Sequence, residues 1–335
     1  MARIEVGWRS IAVVAIAATC ACGDDGGDGG VDAARADAAI VDAPTDAAGD
    51  DAAAIDAPVD GPGVDAAPAD AEPPLPVRLR IVAANLTSGS GQAYEAPGIR
   101  ILDGLDPDVA LVQEFNAGSN TAADLRGFVD QAFGPGFGFA RENGVQLPNG
   151  VVSRYPIRGS GTWDDPQVSN RGFTWARIDV PGPRDLWAVS IHLLTSSATN
   201  RDAEAQALAA YVAANVPPGD LLVIGGDLNT AARTEAAITT LGGVVDTAGP
   251  HPRDQAGNDF TNAGRTKPYD WVMPDADLAP YVVTVDIGAA SFADGLVFDT
   301  RVFTPLDDVA PALVTDSAAP SMQHMAVVKD FVITE

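Results

Sequence analysis

The sequence predicts one α/β domain of about 260 residues, with two mixed β-sheets between helical layers, behind a leader and a low-complexity tract. Three observations carry that prediction. Nine strand-length runs rich in Val, Ile and aromatic residues follow one another between Arg78 and Ile333. Amphipathic stretches of helical length interrupt them. The texture also changes abruptly near residue 76, from Asp, Ala, Gly and Pro to apolar runs divided by turns. The 335 residues are 46% hydrophobic, ample for a large core.

From the N-terminus, Arg3 and Arg9 precede the nine-residue apolar run IAVVAIAAT. Such a run is too short to span a bilayer and has the proportions of a secretory signal, so export is expected. Both cysteines of the protein follow it, Cys20 and Cys22 in AATCACGDDGG. The junction resembles a bacterial lipoprotein signal, which implies acylation of Cys22, preceded by Ala21, or else of Cys20, preceded by Thr19. The expected boundary is a signal peptide over 1–22, and the membrane becomes a partner through the lipid. An envelope lipoprotein, periplasmic or at the cell surface, is the expected location.

Residues 23–76 form an acidic tract with the recurrent DAPTD and DAPVD units. Residues 23–75 carry 14 acidic side chains against Arg35 alone, too charged and too poor in apolar residues to bury a core. A disordered tether is expected. Of the total charge of −26, the tract takes −13 and the leader +1, leaving −14 for the remainder. A folded region this acidic, with no basic run, gives no support for tight sequence-independent binding to a polyanion.

The folded domain is expected over 77–335. Its strand candidates are RLRIVAANL, DVALVQEF, GVVSRYPI, FTWARIDV, LWAVSIHL, LLVIGGDL, YDWVMP, YVVTVDIG and MAVVKDFVI. Helices are expected at 98–105, 120–133, 199–215 and 233–241. The third has a capping-box-like start at Thr199 and Asp202, with Leu208, Tyr211 and Val212 at helical spacing.

Ligand sites in open sheets gather at strand ends, where loops lift polar side chains off a rigid scaffold. Polar residues recur there. Asn85 ends the first run, Glu114 the second and His192 the fifth, while Asp227 and Asn229 follow LLVIGG. Asp270 opens YDWVMP, and His324 immediately precedes the last run. Two of the chain's three histidines therefore lie at such ends.

RIVAANL, VALVQEF, SIHL, GGDLN, YDWV and SMQHMAVV, in that order, resemble the successive motifs of the endonuclease/exonuclease/phosphatase superfamily, the deoxyribonuclease-I-like fold. The resemblance runs from Leu79 to Phe331 and implies a four-layer α/β sandwich that cleaves phosphate esters with a divalent metal, usually Mg²⁺. It implies Glu114 as the main metal ligand, with Asn85 beside metal and phosphate. His192 would bind a phosphoryl oxygen, and Asp227 would activate or orient water with help from Asn229. Asp270 would pair with His324, which would stabilise the transition state or share in proton transfer. Asn149 and Arg171 fall near positions that line the family's cleft; they are the substrate-binding candidates, with a structural role as the favoured alternative.

Residue chemistry agrees. Anionic phosphate oxygens repel a nucleophile, so a site needs a hard cation, donors aimed at those oxygens, and a base. Oxygen ligands without cysteine favour Mg²⁺, Mn²⁺ or Ca²⁺ over structural zinc. One departure stands out: the family commonly has Asp before the final histidine, and this chain has Gln323. Gln323 is expected to offer a neutral metal ligand, which implies either weaker metal binding than is typical of the family or compensation by Asp316. The reading is a monomeric, lipid-anchored phosphodiesterase, nuclease-like, with nucleic acid among its candidate substrates. The alternatives are a phosphatase or phospholipase acting on lipid or inositol phosphates, and a catalytically impaired phosphate-binding domain.

Overall fold

The computed structural model describes residues 76–89 and 91–333. Cys20, Cys22, the signal and the tract up to residue 75 lie outside the described residues. In chain order the described elements are β1 (Val77–Ala84), α1 (Ala96–Leu105), β2 (Val109–Val112), α2 (Ala122–Ala132), β3 (Gly138–Arg141), β4 (Gly150–Ser153), β5 (Ile157–Asp164), β6 (Gly172–Ile178), β7 (Leu186–His192), α3 (Ala198–Asn215), β8 (Leu221–Asp227), α4 (Ala236–Leu241), β9 (Asp270–Pro274), β10 (Val282–Val283), β11 (Val285–Ile287), β12 (Ala290–Phe292), β13 (Leu296–Phe298) and β14 (Ala326–Ile333).

Besides a small two-stranded β11-β12 sheet there are two large ones: one runs β10-β14-β1-β2-β4-β3, with β13 also on β14, and the other runs β5-β6-β7-β8-β9. Each large sheet contains one parallel pair among antiparallel neighbours, β1 with β2 and β7 with β8. Parallel pairs need crossovers, supplied here by α1 and α3.

The burial pattern makes the layers. On β1, Leu79, Ile81 and Ala83 face the second sheet and pack with Ala176, Ile178, Ala188 and Val223. The alternate residues Val82 and Ala84 pack with Ile101, Leu102 and Leu105 of α1 and with Phe128 of α2. On the far side, Val189, Ile191, Leu222 and Ile224 pack under Leu208 of α3 and Ile238 of α4. Both faces of the central strands are thus covered, which explains why their sequences read as continuous apolar runs rather than alternating ones. The result is the expected four-layer sandwich, helix, sheet, sheet, helix.

Local differences have physical causes. β3, β5, β12 and β13 were not among the nine expected strands. β5, IRGSGTWD, is an edge strand with mostly half-exposed residues and little apolar content, so it carries no hydrophobic period. YVVTVDIG divides into β10 and β11. The cap of α3 is Ser197, whose hydroxyl accepts from Asn200 N, rather than Thr199; Asp202 instead accepts from Gln206 and Thr240. α4 begins three residues later than expected.

Candidate active site

The register of the second sheet aligns three polar residues in one row: His192 of β7 opposite Asp227 of β8, and Asp227 opposite Asp270 of β9. Facing them, Asn85 and Glu114 follow β1 and β2, and His324 lies two residues before β14. Strand pairing, not loop flexibility, fixes where these groups converge. Glu114 (φ 51°) and Asn229 (φ 51°) both adopt left-handed backbone. That conformation is tolerated by Asn and costly for Glu, and such strain is concentrated at functional positions. Gly226 has φ 137°, and a Cβ there would run into Ile191 O and stand 2.6 Å from Gln113 Nε2. The glycine lets β8 pass close to its neighbours while Asp227 turns into the cleft.

A continuous hydrogen-bonded cluster results. Asn85 Nδ2 donates to Glu114 Oε1 at 3.3 Å and to Asp227 Oδ2 at 3.2 Å. Asp227 Oδ2 also lies 3.3 Å from His192 Nε2 and 3.4 Å from His324 Nε2, and His324 Nε2 lies 3.4 Å from Asn85 Nδ2. The other His324 nitrogen, Nδ1, lies 3.0 Å from Asp270 Oδ2. Asn229 N donates to Asp227 Oδ1 (2.9 Å), and Asn229 Nδ2 to Leu193 O (3.0 Å). Thr87 Oγ1 and Gln92 Nε2 donate to the two oxygens of Glu114 at 2.8 and 3.0 Å. All seven strand-end residues are more than nine-tenths buried, Asn229 the least so at 8% exposed.

Burial sets the electrostatics. Desolvation raises Asp227 to about 6 against the pull of His324, and desolvation also raises Glu114. For His324, desolvation works downward but Asp270 and Asp227 outweigh it, leaving the imidazole raised to about 10. His192 goes well below its ordinary value through desolvation, with Arg171 and His324 adding to the effect. The two imidazoles therefore differ at neutral pH: His324 is a cation hydrogen-bonded to Asp270 and close to Asp227, and His192 is neutral. With Nε2 facing Asp227, the buried Nδ1 of His192 has no partner.

The donor set fits a hard divalent cation. Ligand atoms of Asp227, Asp270 and His324 lie within 4.8 Å of one another. Asp270 and His324 are engaged with each other, however, so binding between them would break their 3.0 Å contact. The buried carboxylates of Glu114 and Asp227, bridged by one amide of Asn85, suit a cation better. They are two anions raised by desolvation and held together only by neutral and imidazole donors. Oxygen donors without thiolate match Mg²⁺, Mn²⁺ or Ca²⁺.

Four expected site residues do not join this cluster as expected. Gln323 is exposed; its main-chain oxygen accepts from Ala263 N at 2.7 Å, and among the described residues its side chain makes no hydrogen bond. Its assignment as a metal ligand is corrected, because the turn that buries His324 presents Gln323 to the opposite side. Asp316 does not compensate: its oxygens are taken by Arg100 and by Leu313 N. Asn149 is buried, and its amide donates to Gly172 O. Arg171 donates from Nε to His192 O and from Nη2 to Leu193 O. With these donors committed to main chain, Arg171 holds the end of β7 and Asn149 the start of β6. The sequence reading missed Thr87 and Gln92, whose only signal was their place in the polar loop after β1.

It also missed Glu204. This side chain lies on α3 but accepts from Leu194 N at 2.9 Å, and it is fully buried beside Asp165. Desolvation and the neighbouring Asp165 raise Glu204 to about 8. The two acids thus share a proton behind the segment that Arg171 and Asn229 also hold. Because the native state keeps a proton that the unfolded chain has released, the pair's contribution to stability falls as pH rises from about 4.5 to about 8. Glu204→Gln keeps a donor toward Asp165 and an acceptor for Leu194 N, so its melting temperature should exceed wild type at pH 8 and match it near pH 5. The decline that persists toward pH 10 belongs to His324, whose stabilisation is complete below 6.5 and is lost through about 10. Thermal unfolding across pH 5 to 10 checks both; identical profiles for variant and wild type would refute the shared proton.

Two face-packed mixed sheets, helices outside both, and a polar cluster where the parallel pairs end define the deoxyribonuclease-I-like class of sandwich. The chain belongs to the Endonuclease/Exonuclease/phosphatase family, whose profile matches residues 77–294. Members of that family are mostly phosphoester hydrolases. Similar solved structures include the endonuclease/exonuclease/phosphatase from Bacteroides vulgatus, 16% identical with a TM-score of 0.52, over 77% of this chain and 100% of that one. A functionally unknown conserved protein from Enterococcus faecalis is 11% identical at TM-score 0.52, over 77% of this chain and 100% of that one. TDP2 from Caenorhabditis elegans is 13% identical at TM-score 0.50, over 77% of this chain and 75% of that one. Likeness at these identities bears on the fold. No curated protein matches the sequence.

Proposed function

We propose that this chain is a divalent-metal-dependent phosphodiesterase that hydrolyses P–O bonds with activated water. The observation that carries the reading is the convergence on Asp227 Oδ2 of Asn85, His192 and His324 from three different strand ends. An isolated buried acid would be costly; one surrounded by donors can hold its charge and take a proton from water.

Glu114, Asn85 and Asp227 would hold the cation, which when bound polarises the phosphoryl oxygens and lowers their repulsion toward a nucleophile. Asp227, oriented by Asn229 N, accepts the proton of the attacking water. The imidazolium of His324, kept charged by Asp270, donates toward the negative charge that grows on the phosphoryl oxygens. Neutral His192 offers a second donor without adding a cation. Screening the purified protein with Mg²⁺, Mn²⁺ or Ca²⁺ against bis-(p-nitrophenyl) phosphate, DNA, RNA and sphingomyelin tests the reading. Metal-dependent hydrolysis of at least one diester is expected, and none with any metal would overturn it.

The proposal extends to the N-terminus on the strength of the AATCAC junction. The protein is an exported lipoprotein acylated at Cys22, with the acidic tract as a tether of roughly 5–6 Å times the square root of its length, on the order of 40 Å. Mass spectrometry of the mature protein should find an acylated cysteine as the first residue. A soluble product beginning beyond Gly23 with no lipid would contradict this.

A further inference from the structure

We propose that Lys267, held over the face of Tyr269 beside His324, selects substrates that carry a second phosphate close to the scissile ester. The inference rests on the phosphodiesterase reading and names the substrate class of that same site.

The loop from Thr261 to Tyr269 is built to hold this lysine in place. Asn262 Oδ1 accepts from both Thr266 N and Lys267 N at 2.7 Å, and Thr261 N donates to Lys267 O at 2.9 Å. The loop is in turn fastened to the segment that carries His324. Ala263 N donates to Gln323 O, Met325 N donates to Thr261 O, both at 2.7 Å, and Asn262 pairs with His324 in an isolated bridge. Main-chain bonds on either side of His324 thus fix the base of Lys267 relative to the imidazole.

The side chains continue the same line. Lys267 Nζ lies 5.7 Å from the Tyr269 ring centre, and that ring lies 5.7 Å from the ring of His324. An ammonium over an aromatic face keeps its charge and remains open to a ligand on its outer side.

Charge accounting singles out Lys267. On the segments that frame His324, Arg265 is bound to Asp254 and Asp299, and Arg301 to Asp299. Arg233 and Arg201, on the next loop and on α3, are bound to Asp259 and Glu235. Lys267 is exposed, and among the described residues it has no carboxylate within ion-pair distance. Arg253 is likewise exposed and unpaired, but no contact ties it to the cluster. Lys329 on β14 also lacks an ion pair among the described residues but is only part-exposed, in the cavity that Asp270 lines. In so acidic a protein, an exposed uncommitted cation linked to His324 through Tyr269 offers an attractive place for one further anionic group. It does not provide the row of cations that tracks a polymer backbone.

The matching chemistry is a phosphodiester with a neighbouring phosphomonoester, as in a nucleotide with a terminal phosphate or a phosphorylated inositol head group. The test is calorimetric titration of the full chain in Mg²⁺ with thymidine 5′-monophosphate and thymidine 3′,5′-bisphosphate. A parallel arm uses inositol 1-phosphate and inositol 1,4-bisphosphate to tell the two sources apart. In at least one arm the bisphosphate should bind about tenfold more tightly, with the steeper salt dependence expected of one further exposed ion pair. Lys267→Gln should erase that preference and Lys267→Arg should retain it. Equal affinities within both wild-type pairs, or a preference that survives Lys267→Gln, would overturn the inference. Turnover of bis-(p-nitrophenyl) phosphate, measured on the same preparation, reports separately on the phosphodiesterase reading.

Discussion

Asp227→Asn should lower phosphodiester turnover by something on the order of 10²–10⁴-fold while leaving the fold intact, the usual scale for removing a positioned acid or base. Asparagine has one oxygen where aspartate has two, so it can serve Asn229 N or the neighbouring imidazoles but not both. What it removes is the capacity to take a proton together with one charge that would hold the cation. His324→Ala should cost a similar factor. Because Asp270 acts only by charging and aiming His324 across their 3.0 Å contact, the Asp270→Ala, His324→Ala double variant should be scarcely worse than the poorer single one. Steady-state kinetics on bis-(p-nitrophenyl) phosphate decides this, and additive losses would show that the two side chains act independently.

The largest effect on stability is expected at Gly226. An alanine there must adopt a backbone conformation that L-residues rarely occupy, at a cost of about 1–3 kcal/mol. Its Cβ must also displace the Ile191 carbonyl or the Gln113 amide, and the Gln113 amide ties the two sheets together by donating to Ser190 Oγ at 2.8 Å. Strain and collision together should exceed about 3 kcal/mol, or a drop of about 10 °C in melting temperature for a domain of this size. Asp227 is the next residue, so the variant should lose turnover even where it remains folded. Differential scanning calorimetry of Gly226→Ala tests the account, and a melting temperature within a degree or two of wild type would contradict it.

Much of this was legible in the sequence because strand ends are written in residue order. Runs such as LLVIGG and LWAVSI are buried on both faces, so their apolar content marks them without any period, and the first polar residue after each run falls at the cleft. That is why Asn85, Glu114, His192, Asp227, Asn229, Asp270 and His324 could be picked out one by one. Their convergence was not legible. It depends on register, which aligns His192 with Asp227 and Asp270 through pairings far apart in the chain. Gln323 misled because position next to His324 is not direction: consecutive residues in extended chain point to opposite sides. Glu204 was hidden for the converse reason, since a lone acid on an amphipathic helix looks solvated until the packing brings it onto Leu194 N. Edge strand β5 failed to register because its Gly- and Ser-rich sequence has little to bury.

The central claim is that Glu114, Asn85 and Asp227 hold a hard divalent cation needed for phosphodiester hydrolysis. The direct measurement is activity on bis-(p-nitrophenyl) phosphate after chelation and stepwise return of Mg²⁺ or Mn²⁺, for wild type and Glu114→Gln in parallel. The account predicts that chelation abolishes wild-type activity, that metal restores it, and that Glu114→Gln, which keeps the shape of the side chain but loses its charge, requires at least about tenfold more metal for half-maximal rate. Full activity in the presence of chelator, or the same half-saturating metal concentration for both proteins, would contradict it.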